Sequence, residues 1–327
     1  MALVFGLGAA IGVAGRAHGQ PVPAGSVYSR AAGPQAGAAI RQPNDAPPAN
    51  ESLDRAVGAA EEGGRAERVV AAMLAGLERA ESISARVRQL ARVGDTVLKG
   101  GGRYLQSGLG EDQRFRFESR LSADTEDFEL LEVCDGLFFW SYRKLGQQPP
   151  SVERVDIQRV REHLEKLKAP AQGACSMHLG GVQRTVALLR DWFRFDSITS
   201  VSIDDMPVWN VEGHWDRQML AVILPDRAEA IQSAAGISAA ELPDGMPWSV
   251  RLSIGKRELF PFRIEWLAIP GARPVAGATP EVVAVLELYD VRIGEPIDAT
   301  AFVYKPATEG LIDTTEAHLQ GIRPQRP

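Results

Sequence analysis

The chain has 327 residues, 45% of them hydrophobic and 24% charged, with a formal net charge of −6. That is enough apolar material for one large core or two small ones. With 36 basic residues against 42 acidic ones, the chain lacks the basic footprint that phosphate backbones require, so nucleic acid is excluded as a main partner. Two cysteines exclude both a disulfide-rich scaffold and a cysteine-built metal cluster.

Residues 1–19 read as a signal peptide or an N-terminal anchor. Ala2–Gly15 is an uncharged apolar run, too short for a comfortable bilayer crossing but suited to the hydrophobic segment of an export signal. Arg16 and the small residues to Gly19 follow it, and no basic residue precedes it. The expected location is therefore periplasmic or otherwise exported, with tethering if the segment is not cleaved. Residues 20–63 are dominated by Ala, Gly, Pro, Gln and Ser. They bury too little to offset ordering entropy and read as a disordered linker.

A single domain is expected over 64–315, followed by a tail over 316–327. Its first helix, Ala66–Ala80, places Val69, Val70, Met73, Leu74 and Leu77 at helical spacing. From Ser82 the period changes to two. Arg114–Glu118 alternates charge with Phe115 and Phe117, and Glu129–Cys134 turns through Asp135-Gly136 into Leu137–Tyr142, a hairpin signature. Val160–Lys168 and Val182–Phe193 read as helices. Strands are then expected at Val208–Gly213, Gln218–Leu224, Trp248–Ile254, Phe260–Ala268 and Val282–Val291.

Nine or ten strands in succession, with helices only at the start and the middle, imply a mainly antiparallel α+β fold. Such a sheet is wide enough to curl, and helices cover its concave face. If the helices do not fill the mouth, an apolar cavity results. Tyr104, Phe115, Phe117, Leu131, Val133, Phe138, Trp140, Trp209, Val211, Leu252, Phe262, Ile264 and Trp266 are the candidate lining residues; the same residues would also serve as an ordinary core.

Three stretches, in order, resemble the LolA/LolB lipoprotein-carrier superfamily. Ile83–Gln89 is similar to the family's first strand. Val133-Cys134-Asp135-Gly136 with Phe139–Tyr142 resembles its aromatic hairpin, and Pro296–Pro306 its closing segment. The resemblance implies an unclosed, curled half-barrel with helices in its mouth, and a carrier or binder of lipoprotein acyl chains or lipids. The family's basic residue and proline after the second strand have no counterpart here, since Arg103 lies at the wrong end of its strand. With the long linker, that departure keeps an alternative open: an envelope sensor of the same fold, binding the periplasmic segment of an inner- or outer-membrane protein.

Catalytic signatures are absent. No GxSxG, P-loop, HExxH or CxxC motif occurs, so no enzyme activity, cofactor or metal site is expected. Glu162, His163 and Glu165 read as a solvated helix face, and Asp204-Asp205 as a turn. Cys134 and Cys175 either pair in an oxidising compartment or remain two buried thiols.

Overall fold

The computed structural model describes residues 49–123, 126–166, 179–243, 245–269, 280–306 and 310–321. The apolar run Ala2–Gly15, most of the expected linker, and Cys175 lie outside them. The first helix, α1, spans Ala49–Arg79, so it begins inside the stretch expected to be linker. Its first half has only Leu53 and Val57 as large apolar residues, so the apolar periodicity that marks Ala66–Ala80 does not reach back to its start.

Twelve strands form one sheet. The first six are β1 (Ser82–Val93), β2 (Thr96–Ser107), β3 (Arg114–Ala123), β4 (Glu126–Cys134), β5 (Phe138–Leu145) and β6 (Ser151–Asp156). Helices α2 (Ile157–Lys166) and α3 (Gly181–Trp192) follow, then β7 (Phe193–Ile203) and β8 (Met206–Trp215). Two short helices, α4 (Arg217–Ile223) and α5 (Ala228–Gln232), precede β9 (Ser249–Gly255), β10 (Pro261–Ala268) and β11 (Glu281–Ile293). The described chain ends with β12 (Leu311–Asp313) and α6 (Thr315–Gly321).

The sheet order is β12-β6-β5-β4-β3-β2-β1-β11-β10-β9-β8-β7. It amounts to two meanders joined where β1 pairs with β11. Every pairing is antiparallel except β12 on β6, which is parallel. β12 and β7 end the sheet without pairing to each other, so it is an unclosed, mostly antiparallel half-barrel.

The curl has a local cause in Gly100-Gly101-Gly102 of β2. A Cβ on Gly100 would stand 1.8 Å from the Arg120 carbonyl oxygen, one on Gly102 1.8 Å from that of Glu118, and one on Gly101 2.3 Å from that of Val87. Only glycine lets β2 approach both neighbours so closely. Two hairpins also follow from their residues. Asp204 and Asp205 both take positive φ, 48° and 65°, as the two-residue turn between β7 and β8 requires. At the β4–β5 turn the Asp135 carboxylate accepts from the amides of Leu137 and Phe138, both at 2.8 Å.

Three sequence expectations are corrected. Gln218–Leu224 is not a strand but lies on α4: the Asp216 side chain accepts from the Met219 amide at 3.0 Å, and this N-cap outweighs the local alternation. The expected helix Val182–Phe193 stops at Trp192, and Phe193 opens β7, which with β6 and β12 is a strand the sequence did not mark. The closing segment Pro296–Pro306 holds a 3₁₀ turn at Ala299–Phe302, with Asp298 accepting from the Thr300 amide at 2.8 Å. The expected tail begins within α6, whose Thr315 hydroxyl accepts from the Asp156 amide at 3.0 Å.

Candidate functional site: the concave face and its cover

Strand register sorts the side chains onto two faces. Tyr104 stands opposite Phe117 and Ala85, Phe115 opposite Gln106 and Cys134. Across β1 and β11 the same face continues through Ile264, opposite Leu252 and Leu286, and Trp266, opposite Val250. Val211 and Trp209 of β8 complete it, opposite Leu252 and Ile254. Tyr104, Phe115, Phe117, Val211, Leu252, Ile264 and Trp266 are all buried in one cluster with Val70, Met73, Leu74 and Leu77 of α1 and Val182, Val186 and Leu189 of α3. This is the concave face, and α1 and α3 are its cover. The segment after α4 adds Ile231, Leu242 and Met246 to the same cluster.

Trp209 is only partly buried, with the Arg65 guanidinium 4.6 Å and the Lys256 ammonium 4.2 Å from its ring centre. Phe262 sits beside the irregularity between Pro261 and Arg263, partly buried and packed against the same core.

Four expected lining residues face the other way. Val133 pairs with Trp140 and Leu131 with Tyr142, and the period of two puts Phe138 beside them, on the convex face. The Trp140 ring meets Tyr304 of the closing segment edge-on at 6.1 Å, and its Nε1 donates to Asp135 at 3.1 Å. The Arg116 guanidinium donates to the Ala301 carbonyl at 3.3 Å. The aromatic hairpin thus seats the closing segment against the convex side. Both faces of β4 and β5 carry apolar residues, so periodicity alone could not say which one curls inward. Two open depressions, of about 460 and 480 Å³, also lie on the convex side, around Arg116–Arg120 and Arg86–Arg103.

Polar side chains that the periodicity did not single out join cover to sheet. Gln106 of β2 and Gln183 of α3 are both fully buried. Gln106 Nε2 donates to the Leu77 carbonyl at 2.8 Å, and Gln183 Nε2 to the same oxygen at 3.0 Å. The Gln106 Oε1 accepts from Gln183 Nε2 at 2.9 Å and from the Tyr104 hydroxyl at 2.6 Å. The last turn of α1, with its carbonyls otherwise unmet, is thereby clasped to β2 and α3. The signal for this was a glutamine on each of two apolar faces.

The start of α3 is held similarly. Glu132 of β4 accepts from the Gly181 amide at 2.8 Å, and a Cβ on Gly180 would lie 2.6 Å from its carboxylate. Burial raises the Glu132 pKa, while the Gly181 amide, Arg143 and Arg184 pull it back down. Helix N-termini favour such a carboxylate.

His318 of α6, expected in the tail, is instead largely buried. Burial, and secondarily the charge of Arg184, push its pKa down to about 4. Below the unfolded value of 6.5 the unfolded chain takes up a proton that the native state refuses until about pH 4. Stability is therefore lost as pH falls through that window, by at most about 3 kcal/mol. His318→Gln flattens the profile: urea unfolding at pH 7 and pH 5 shows a smaller loss on acidification than the parent chain. An equal loss contradicts the assignment.

Cys134 is buried, with its Sγ 3.8 Å from the Gln113 carbonyl oxygen. The expected alternatives for its pairing turn on Cys175, which lies outside the described residues. Among the described residues, no three His, Cys, Asp or Glu side chains converge as a metal site, and no helix is long and apolar enough to cross a membrane.

No family model matches the chain, and no curated protein matches it. Solved structures do resemble it at low identity. LprF from Mycobacterium bovis is 11% identical over 72% of this chain and 96% of its own, with a TM-score of 0.34. A chain of the MucA/MucB complex from Pseudomonas aeruginosa is 11% identical over 74% and 61%, with a TM-score of 0.31. A LolA superfamily protein from Nitrosomonas europaea is 12% identical over 73% and 97%, with a TM-score of 0.23. By its own strand order and helical cover, the chain is an unclosed, mostly antiparallel half-barrel with helices over its concave face.

Proposed function

We propose that the protein is an exported, non-enzymatic binder of acyl chains, from lipids or acylated lipoproteins, taken up between the concave face and the cover formed by α1 and α3. The observation that carries this reading is the seam itself. Its walls are apolar, yet the cover is fastened by buried amides, Gln106 and Gln183. A fully apolar helix–sheet contact would hold at least as well, because exchanging all partners of a buried hydrogen bond for apolar groups of the same shape can be neutral or stabilising, although removing one partner alone is costly. A seam joined this way suits a cover that separates from the sheet. An entering chain then replaces the covering side chains, gaining about 0.8 kcal/mol per buried methylene.

Contact quenching by an acyl chain brominated at mid-length tests the reading. Quenching of tryptophan emission is expected in the parent chain, to be reduced in Trp266→Phe and retained in Trp140→Phe, whose ring lies on the convex side. Absence of quenching in the parent chain, or equal quenching in both variants, would sink the proposal.

One observation favours a second reading, a module that takes an extended segment of a membrane protein. β7 ends the sheet and has a strand partner on one side only. Such binding would slow amide exchange along Ser197–Ile203, and acyl-chain binding would not.

A further inference from the structure

We infer that Gln89 is a polar anchor within the concave face, donating a hydrogen bond to the ester carbonyl at the head of a bound acyl chain. This rests on the acyl-chain reading above and deepens it by naming acyl esters, rather than plain hydrocarbon, as the ligand class.

Gln89 lies on β1, the strand at which the two meanders meet. Its neighbours in the alternation, Val87 and Ala91, are both buried in the core cluster. Directly opposite stand Leu286 of β11 and Gly100 of β2. The side chain is only 2% exposed, so it faces the concave side among apolar groups and bare backbone. Gly100 and Gly102 carry no side chains, which lets the Gln89 amide reach across β2 to β3. There its Oε1 accepts from the Ser119 hydroxyl. That bond orients the amide and turns the two hydrogens of Nε2 away from Ser119. Nε2 meets no acceptor among the described residues.

A buried donor without an acceptor is expensive, and an apolar side chain of similar volume would serve the fold better. The amide therefore suits an incoming acceptor. An ester carbonyl brings acceptor oxygens and no donor that must itself be satisfied. A carboxylate would bring a charge that one neutral amide cannot offset, and an alcohol or amide would bring hydrogens needing further partners. The wall around Gln89 supplies contact for the hydrocarbon, and Nε2 fixes how far along the face its head can travel.

The test compares the full chain with Gln89→Leu, using two probes. One is methyl palmitate with a ¹³C-labelled ester carbonyl; the other is N-phenyl-1-naphthylamine, an apolar dye without a carbonyl. On binding to the parent chain, the labelled carbonyl stretch moves to lower frequency than in hydrocarbon solvent. In Gln89→Leu it stays at the hydrocarbon value, ester affinity falls roughly three- to tenfold, and dye affinity is unchanged. An identical stretch and ester affinity in both proteins, with dye still bound, overturns the anchor and leaves acyl-chain binding standing. Binding of neither probe by the parent chain overturns both. If Gln89→Leu loses the dye as well through misfolding, Gln89→Met, unbranched and of similar length, carries the same comparison.

Discussion

Phe115→Ala is expected to lower the unfolding free energy by about 3–5 kcal/mol, the range for a fully buried aromatic reduced to a methyl. The ring is 0% exposed and lies 6.0 Å from that of Phe139. A Cβ on Gly181 would come within 3.1 Å of it, so the first turn of α3 rests directly on the ring. Truncation removes contacts to the sheet and to the cover together, and Gly181, at φ 70°, cannot readily be exchanged for a larger residue that would refill the space. Urea unfolding monitored by circular dichroism gives the value. A loss below about 1 kcal/mol would mean that α3 does not bear on β3 as described.

Gln106→Leu is expected to cost about 2–3 kcal/mol and to act on the cover rather than on the sheet. Leucine fills similar space but leaves the Tyr104 hydroxyl without its acceptor and removes one of the two donors to the Leu77 carbonyl. Burial already holds the Tyr104 phenol far above its usual pKa, so the hydroxyl stays neutral and needs an acceptor. Hydrogen exchange locates the effect. Amides in the last turn of α1 and along α3 are expected to lose protection, while those of β9–β11 keep theirs. A uniform loss across the sheet would show that the clasp supports the whole core and is not a fastening of the cover.

Much of the half-barrel was legible in the residues. The alternation through Arg114–Glu118 marks a strand wet on one side, that through Trp248–Ile254 marks a strand whose Ser249 and Ser253 are buried as well, and the Asp135-Gly136 turn fixes a hairpin. Their succession without βαβ units leaves a wide antiparallel sheet. What escaped has identifiable causes. β7 was hidden because Phe193 and Phe195 extend the apolar pattern of the preceding helix. α4 was hidden because Met219, Leu220, Val222 and Ile223 fit either period until Asp216 caps the helix. In β4 and β5 both faces are apolar, one covered by α3 and the other by the closing segment. Leu131, Val133, Phe138 and Trp140 therefore gave no sign of facing outward. The amides at the seam escaped because an isolated glutamine in an apolar run reads as noise until strand register places Gln89 and Gln106 on the concave face.

In the proposed function, the concave face takes an acyl chain beneath α1 and α3. The most direct measurement is mass spectrometry of the organic extract of the full chain, purified without detergent from a host with abundant membrane. Acyl-ester lipid or acylated peptide is expected at about one per protein. A chain that comes out empty, and stays empty after incubation with vesicles of the same lipids, would contradict it: the cover would then be a permanent part of the core.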